Sequence, residues 1–142
     1  MIETKNYESI DSNFLLQRLI EQYQKQDRII IAYDFDDTVS PCYCANCTEV
    51  QSVLRMSKEN LNAYFIVYTS NPNHEKIKQF LDYEQLPYDA INQNAPFVPF
   101  NNPEDKLFYN IFLDDKAGLG EAVRTLKTLN RLVYQGVIKK NV

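Results

Sequence analysis

The chain has 142 residues, of which 44% are hydrophobic and 24% are charged, a composition typical of one soluble domain and not of a disordered chain. No apolar run approaches the roughly 20 residues of a membrane-spanning helix. Residues 1–6 lack the pattern of a secretory signal, so we expect a cytoplasmic protein with no membrane partner. The net charge of −4 argues against a general nucleic-acid binder, because phosphate contacts need clustered basic residues.

Helices and strands alternate along the predicted chain. The spacing of apolar residues predicts four helices, over 12–26, from a capping box at 48–51, from Asn71-Pro72, and over about 119–134. Short apolar runs predict four buried strands, at 29–33, 63–68, 88–91 and 109–113. This alternation is typical of right-handed βαβ units around a parallel sheet. We therefore predict one α/β domain over 1–142, with 1–27 as a helical N-terminal extension.

Acidic and hydroxyl residues follow three of the predicted strands. They are Asp34-Phe35-Asp36-Asp37-Thr38 after the first strand, Thr69-Ser70-Asn71 after the second and Asp114-Asp115 after the fourth. The carboxyl ends of parallel strands meet at one edge of the sheet, where ligands bind. Carboxylates gathered there repel one another, and a hard divalent cation such as Mg²⁺ relieves the repulsion. The pattern thus predicts a magnesium site that takes an anionic substrate.

Four segments, in this order, resemble the motifs of the haloacid dehalogenase-like (HAD) hydrolases. The sequence IIIAYDFDDTV at 29–39 resembles the first motif, an apolar strand followed by D-x-D-x-T. Residues 67–70 are similar to the second motif, and 110–115 to the fourth, an apolar strand that ends in two acids. Lys106 stands where the lysine of the third motif could lie. The resemblance spans roughly 29–123, and the first motif is the most specific part of it.

This resemblance implies a Mg²⁺-dependent phosphatase that hydrolyses a phosphomonoester through an aspartyl-phosphate. Asp34 would be the nucleophile, and Asp36 would be the general acid and then the general base. Lys106 would neutralise the phosphate, and Thr38 would brace the loop. The substrate-binding residues would be Thr38, Thr69, Ser70 and Asn71. The Mg²⁺ ligands would be the Asp34 side chain, the Asp36 backbone carbonyl and Asp115, with Asp114 beside them.

Three details of the site stay open at this level. Lys116 competes with Lys106, because it directly follows the two acids of the fourth motif. Either Asp114 or Asp115 could be the ligand, and the resemblance favours Asp115. Asp37 stands where the family often has glycine, which bears on the turn after the first strand.

The intervals between the motifs are too short to hold a separate cap domain. We therefore expect an α/β three-layer Rossmann-like sandwich with a mostly parallel central sheet and no cap. The site would be open, walled by loops, or closed by a partner subunit in a homodimer. Tyr43, Phe97 and Phe100 are candidates for an aromatic wall, with ordinary packing as the alternative. The expected substrate is a small phosphorylated metabolite such as a nucleotide or a sugar phosphate.

Three cysteines lie in a predicted loop at 40–48, namely Cys42, Cys44 and Cys47. With His74 they could bind a structural metal, but a redox pair and plain thiols are alternatives. The rival function is a non-catalytic phosphate-binding or regulatory module of the same fold, with or without a cysteine-bound metal. A receiver-like domain is a third interpretation. The D-x-D spacing after the first strand argues against it, because receivers take their phosphorylated aspartate from a later strand.

Overall fold

The computed structural model describes residues 12–40, 45–98 and 106–139, and only the backbone of residues 12, 13, 45 and 46. Helices and strands alternate over these residues. The helices are α1 (Ser12–Gln26), α2 (Ala45–Leu61), α3 (His74–Glu84) and α4 (Leu119–Tyr134). The strands are β1 (Ile30–Tyr33), β2 (Tyr64–Val67), β3 (Ala90–Ile91) and β4 (Ile111–Leu113). The predicted helices at 12–26 and 119–134 are confirmed, and each predicted strand is present in a shorter form.

The four strands form one parallel sheet in the order β3-β2-β1-β4. Every residue of β1 is buried, as expected for a central strand covered on both faces. Ala32 pairs with Ile66 on one side and with Phe112 on the other. The predicted α/β fold with a parallel sheet is therefore confirmed. The strand order reverses at β1, and the carboxyl end of β1 is consequently the position where such sheets bind ligands.

One face of the sheet packs against the helices. Alternate residues of β1, including Ile31 and Tyr33, belong to a core that takes buried side chains from all four helices. The Tyr33 hydroxyl donates a hydrogen bond to the Pro87 carbonyl at 2.8 Å, which ties β1 to the turn before β3. Leu19 and Tyr23 of α1 are also buried in this core. The helical part of the predicted N-terminal extension, residues 12–26, therefore packs into the core of the domain.

The opposite face of the sheet is covered differently. Ile30, Ala32 and Ile66 form a second cluster with Ala95, and parts of 98–112 pack against it. A right-handed connection that leaves β3 and returns beyond β1 must pass over this face. In the described parts of that connection, 92–98 and 106–110, no helix is present. The predicted third layer of helices is therefore not found among the described residues.

Two helix starts differ from their predictions. Helix α2 begins at Ala45, ahead of the predicted capping box, so Cys47 lies in a helix and is only 2% exposed. The prediction of a cysteine loop over 40–48 is wrong for that residue. Helix α3 begins at His74, with Asn73 as the N-cap, because the Asn73 side chain accepts a hydrogen bond from the Lys76 N–H. Pro72 precedes this cap and does not occupy the first helical turn.

Within the described ranges, no helix combines the length and the hydrophobicity that crossing a membrane requires.

A buried polar network joins α2 to α4. Asn130 is fully buried, and its side-chain amide donates to the Ser57 hydroxyl at 3.0 Å and to the Leu126 carbonyl at 2.9 Å. The side-chain oxygen Oδ1 of Asn130 accepts a hydrogen bond from Nδ2 of Asn60 at 3.0 Å. Removal of the Asn130 amide leaves these partners without their bonds in a buried interface.

We expect Asn130→Ala to lower the free energy of unfolding by about 2 kcal/mol, measured by urea denaturation. The matched control is Gln79→Ala, which truncates an exposed side chain on α3 and should change stability by less than about 0.5 kcal/mol. Equal effects of the two substitutions would show that the network adds no stability.

Candidate active site

Asp34 lies at the carboxyl end of β1, next to β4. Its backbone N–H donates to the Leu113 carbonyl at 2.9 Å, so the ladder between the two strands continues to this residue. The chain then turns sharply. The Phe35 carbonyl accepts hydrogen bonds from the N–H groups of Thr38, Val39 and Ser40 at 3.3, 3.1 and 3.1 Å. This turn fixes the acidic loop relative to the sheet.

Asp37 adopts a left-handed backbone conformation in that turn, with φ of +67°. Glycine adopts this conformation most readily, and aspartate is among the few other residues that tolerate it. Asp37 is therefore compatible with this turn, at a position where the family that the sequence resembles often has glycine. The side chain of Asp37 is exposed.

Thr38 joins the acidic loop to the end of β4. Its side chain is fully buried, and its hydroxyl lies 3.4 Å from Oδ2 of Asp34 and 3.3 Å from Oδ1 of Asp115. The hydroxyl also accepts a hydrogen bond from the Asp115 N–H at 3.1 Å. The predicted bracing role of Thr38 agrees with this geometry. The Thr38 side chain has no exposed surface in this structure, and its role in substrate binding stays a prediction.

Three carboxylates meet at this junction. Asp34, Asp114 and Asp115 each offer an oxygen, and these oxygens all lie within 4.8 Å of one another. Among the described residues, this is the one group of His, Cys, Asp and Glu side chains close enough to share a metal ion. Both acids that follow β4 belong to it, so the arrangement accommodates either as a ligand. The Asp36 carboxylate is not a member, and the role of its backbone carbonyl stays a prediction.

Within the acidic cluster, Asp34 has a raised pKa. Burial, followed by the charge of Asp114, raises the pKa of Asp34 to about 6. The charges of Asp115 and Asp36 act in the same direction, and a hydrogen bond from the Phe35 backbone opposes them. Ionisation of Asp34 is therefore less favourable than in a free aspartate, and a bound cation would favour the ionised form.

The segment after β2 forms the other side of the site. Thr69 is held through its backbone, because its N–H donates to Oδ1 of Asn92 at 2.9 Å and its carbonyl accepts from Nδ2 of Asn92 at 2.8 Å. The Thr69 hydroxyl accepts a hydrogen bond from the Asn71 N–H at 3.0 Å. The Asn71 side chain donates to the Asp36 carboxylate at 3.2 Å. These bonds connect the segment after β2 with the acidic loop after β1.

An open cleft of about 450 Å³ contains these groups. Its lining comprises Asp34, Asp36, Asp37, Tyr68, Thr69, Ser70, Phe112, Asp114, Asp115 and Lys116. Six of the predicted site residues are thus brought together, and Asn71 adjoins them through its bond to Asp36. Asn92 is a positioning residue that the sequence reasoning missed. It directly follows the third predicted strand, and the rule that picked out the other carboxyl ends would have found it.

The two candidate lysines are separated by the fold. Lys106 is exposed and lines a different cleft with Leu107, Phe108 and Tyr109. Lys106 does not line the acidic cleft here, and its role in neutralising the phosphate stays a prediction. Lys116 lines the acidic cleft, and its backbone N–H donates to Oδ1 of Asp114 at 3.3 Å. Among the described residues, Lys116 is the basic residue that lines the acidic cleft.

Of the three candidates for an aromatic wall, Phe97 is the one that the structure describes. The Phe97 ring packs edge-on against Tyr64, the first residue of β2, with the Arg28 guanidinium 4.2 Å from its centre. It therefore lies at the amino ends of the strands, away from the acidic cleft. Tyr43 and Phe100 lie outside the described residues. Tyr68 and Phe112 line the cleft, and the sequence reasoning did not single them out.

The cysteine–histidine metal site is not assembled in the described residues. Cys42 and Cys44 lie outside them, and Cys47 is buried in α2. His74 lines a separate cleft with Lys78 and Tyr88.

No protein-family model, curated protein or solved structure matches this chain.

The raised pKa of Asp34 predicts a pH-dependent stability in metal-free protein. The folded state holds the proton up to about pH 6, whereas the unfolded chain releases it near 3.8. The folded state therefore binds more protons between these values, and its stability falls as the pH rises from about 4 to 6. We expect Asp34→Asn to melt about 3 °C above the wild type at pH 7 in EDTA, with the gap closing below pH 4.

The matched control is Glu59→Gln, which removes an exposed carboxylate on α2. Its melting temperature should follow the wild type across this range. A constant gap between Asp34→Asn and the wild type from pH 3 to 8 would contradict the raised pKa.

Proposed function

We propose that this protein is a Mg²⁺-dependent phosphatase of the HAD type, which hydrolyses a phosphomonoester through an aspartyl-phosphate on Asp34. The observation that carries the proposal is the convergence of the Asp34, Asp114 and Asp115 carboxylate oxygens within 4.8 Å at the carboxyl ends of β1 and β4. The D-x-D-x-T sequence of the loop and the placement of Thr69 and Ser70 in the same cleft add support.

The donor set fits magnesium. All three side chains offer hard oxygens, which Mg²⁺ prefers, and burial together with the charges of Asp114 and Asp115 raises the pKa of Asp34. Asp34 would hold the ion together with Asp115, Asp114 or both. Bound Mg²⁺ would neutralise these carboxylates and draw charge from the phosphoryl oxygens.

The first chemical step would belong to Asp34. A carboxylate oxygen of Asp34 bonds to phosphorus while the bond from phosphorus to the ester oxygen breaks. The Thr38 hydroxyl, 3.4 Å from Oδ2 of Asp34, restrains the carboxylate for this attack. Because Thr38 is buried, water does not compete for that contact.

Asp36 would transfer the protons. It is exposed in the cleft, and the Asn71 amide holds one of its oxygens at 3.2 Å. The protonated Asp36 gives its proton to the departing oxygen in the first step. In the second step it takes a proton from the water that attacks the aspartyl-phosphate, which releases inorganic phosphate and restores Asp34.

Phosphate recognition would fall to the segment after β2 and to Lys116. The Asn92 side chain fixes the Thr69 backbone through two hydrogen bonds, so the Thr69 hydroxyl and the Ser70 amide have a set position at the cleft. Lys116 would supply the positive charge that the resemblance had assigned to Lys106. Fixed donors of this kind stabilise the charge that builds up in the transition state.

The decisive experiment is hydrolysis of p-nitrophenyl phosphate by purified protein. We expect turnover that requires Mg²⁺, stops with EDTA, and falls at least about a thousand-fold in Asp34→Asn. Glu59→Gln, on the distant face of α2, should retain wild-type turnover. Full activity in Asp34→Asn would overturn the assignment of the nucleophile. Magnesium binding without turnover of any phosphomonoester would favour the non-catalytic phosphate-binding module instead.

The separation of the two lysines gives a second test. We expect Lys116→Ala to lower kcat/KM by about ten- to a hundred-fold, because it removes a positive charge from the cleft. Lys106→Ala, which truncates a lysine in the other cleft, should change kcat/KM by less than about two-fold. The reverse ranking would show that Lys106 reaches the phosphate and that the charge of Lys116 is dispensable.

A further inference from the structure

Two aromatic side chains share the acidic cleft with the catalytic carboxylates. Tyr68 directly follows β2 and is 45% exposed, and Phe112 lies in β4 and is half-buried. Side chains alternate between the faces of a sheet, so Tyr68 continues the row of Ile66 and points to the second cluster. Phe112 also belongs to that cluster. The rings and Asp34 therefore lie on the same side of the sheet, because Asp34 continues the row of Ala32.

The two rings meet across β1. Strands β2 and β4 flank β1, so their backbones are about 9–10 Å apart. The Tyr68 and Phe112 ring centres are nevertheless only 5.6 Å apart. Ala32, which pairs with Phe112 on β4, places only a methyl group between them. The Tyr109 ring extends the row, with its centre 5.2 Å from that of Phe112.

These rings form a wall beside Asp34 that the phosphatase chemistry does not use. The transfer of phosphate requires carboxylates, hydroxyls, amides and a positive charge, and none of these roles falls to Tyr68 or Phe112. A cleft of about 450 Å³ is within the range of pockets that bind small organic ligands. An exposed aromatic ring in such a cleft favours a flat, apolar partner, on which it can stack.

We propose that Tyr68 and Phe112 bind a planar aromatic ring in the leaving group, and that the substrate is a nucleoside monophosphate. This inference rests on the proposed phosphatase function, because it assigns the substrate of the same cleft. The phosphoryl group lies among the carboxylates and Thr69, and the base stacks on the exposed face of Tyr68. Stacking of a base on an aromatic side chain accepts any of the bases, so the wall selects for a base without selecting which one.

The test compares adenosine 5′-monophosphate with ribose 5-phosphate, which presents the same primary ester without a base. We expect the wild type to have a kcat/KM on the order of ten-fold higher for the nucleotide. Tyr68→Ala should reduce this ratio toward one, mainly through KM, and Tyr68→Phe should preserve it. Tyr83→Ala, which truncates an exposed tyrosine on α3, is the matched control and should leave the ratio unchanged. Tyr68→Leu replaces Tyr68→Ala if the latter does not fold.

Binding separates this inference from the proposed function. Calorimetry on Asp34→Asn with Mg²⁺ should show tighter binding of the nucleotide than of ribose 5-phosphate, whether or not the wild type turns either over. Equal kcat/KM for the two substrates, with turnover present, would overturn the aromatic wall and leave the phosphatase standing. Preferential nucleotide binding without turnover would support the wall and overturn the phosphatase. A preference that survives in Tyr68→Ala would overturn the role of Tyr68.

Discussion

The site depends on one buried hydroxyl. Thr38 lies between Asp34 and Asp115 and accepts a hydrogen bond from the Asp115 backbone, so two chain segments far apart in sequence are held at a fixed separation. Each of these residues follows a strand of the parallel sheet. The backbone hydrogen bond from Asp34 to Leu113 ties the acidic loop to β4, and the Thr38 hydroxyl adds a contact to each of the two carboxylates.

The fold determines how strongly the acidic residues at the carboxyl end of β1 are buried. Strand β1 is buried on both faces and has β2 and β4 as neighbours, so its carboxyl end opens at the position where the strand order reverses. Partial burial of Asp34 there raises its pKa, and the charge of Asp114 raises it further. The core therefore contributes to the electrostatics of the site by lowering the exposure of one carboxylate.

The two faces of the sheet serve different purposes. All four helices contribute to the core on one face, which includes the side chains of Ile31 and Tyr33. On the other face, smaller and aromatic side chains are covered by segments without regular secondary structure. Ala32 leaves space there for the Tyr68 and Phe112 rings to approach each other. Because Asp34 continues the row of Ala32, the acidic loop opens on this less heavily covered face. A helix laid across the same surface would compete with a ligand for the rings.

The sequence by itself determined the parallel α/β fold, the extent of α1 and α4, and the acidic ends of β1 and β4, because each depends on local periodicity and on one rule of sheet geometry. The tertiary structure alone decided which lysine lines the acidic cleft, since Lys106 lines a different one. It also decided that Thr38 is buried, that Phe97 packs at the far edge, and that Asn92 fixes Thr69. These outcomes depend on contacts between residues distant in sequence, and local patterns carry no information about such distances.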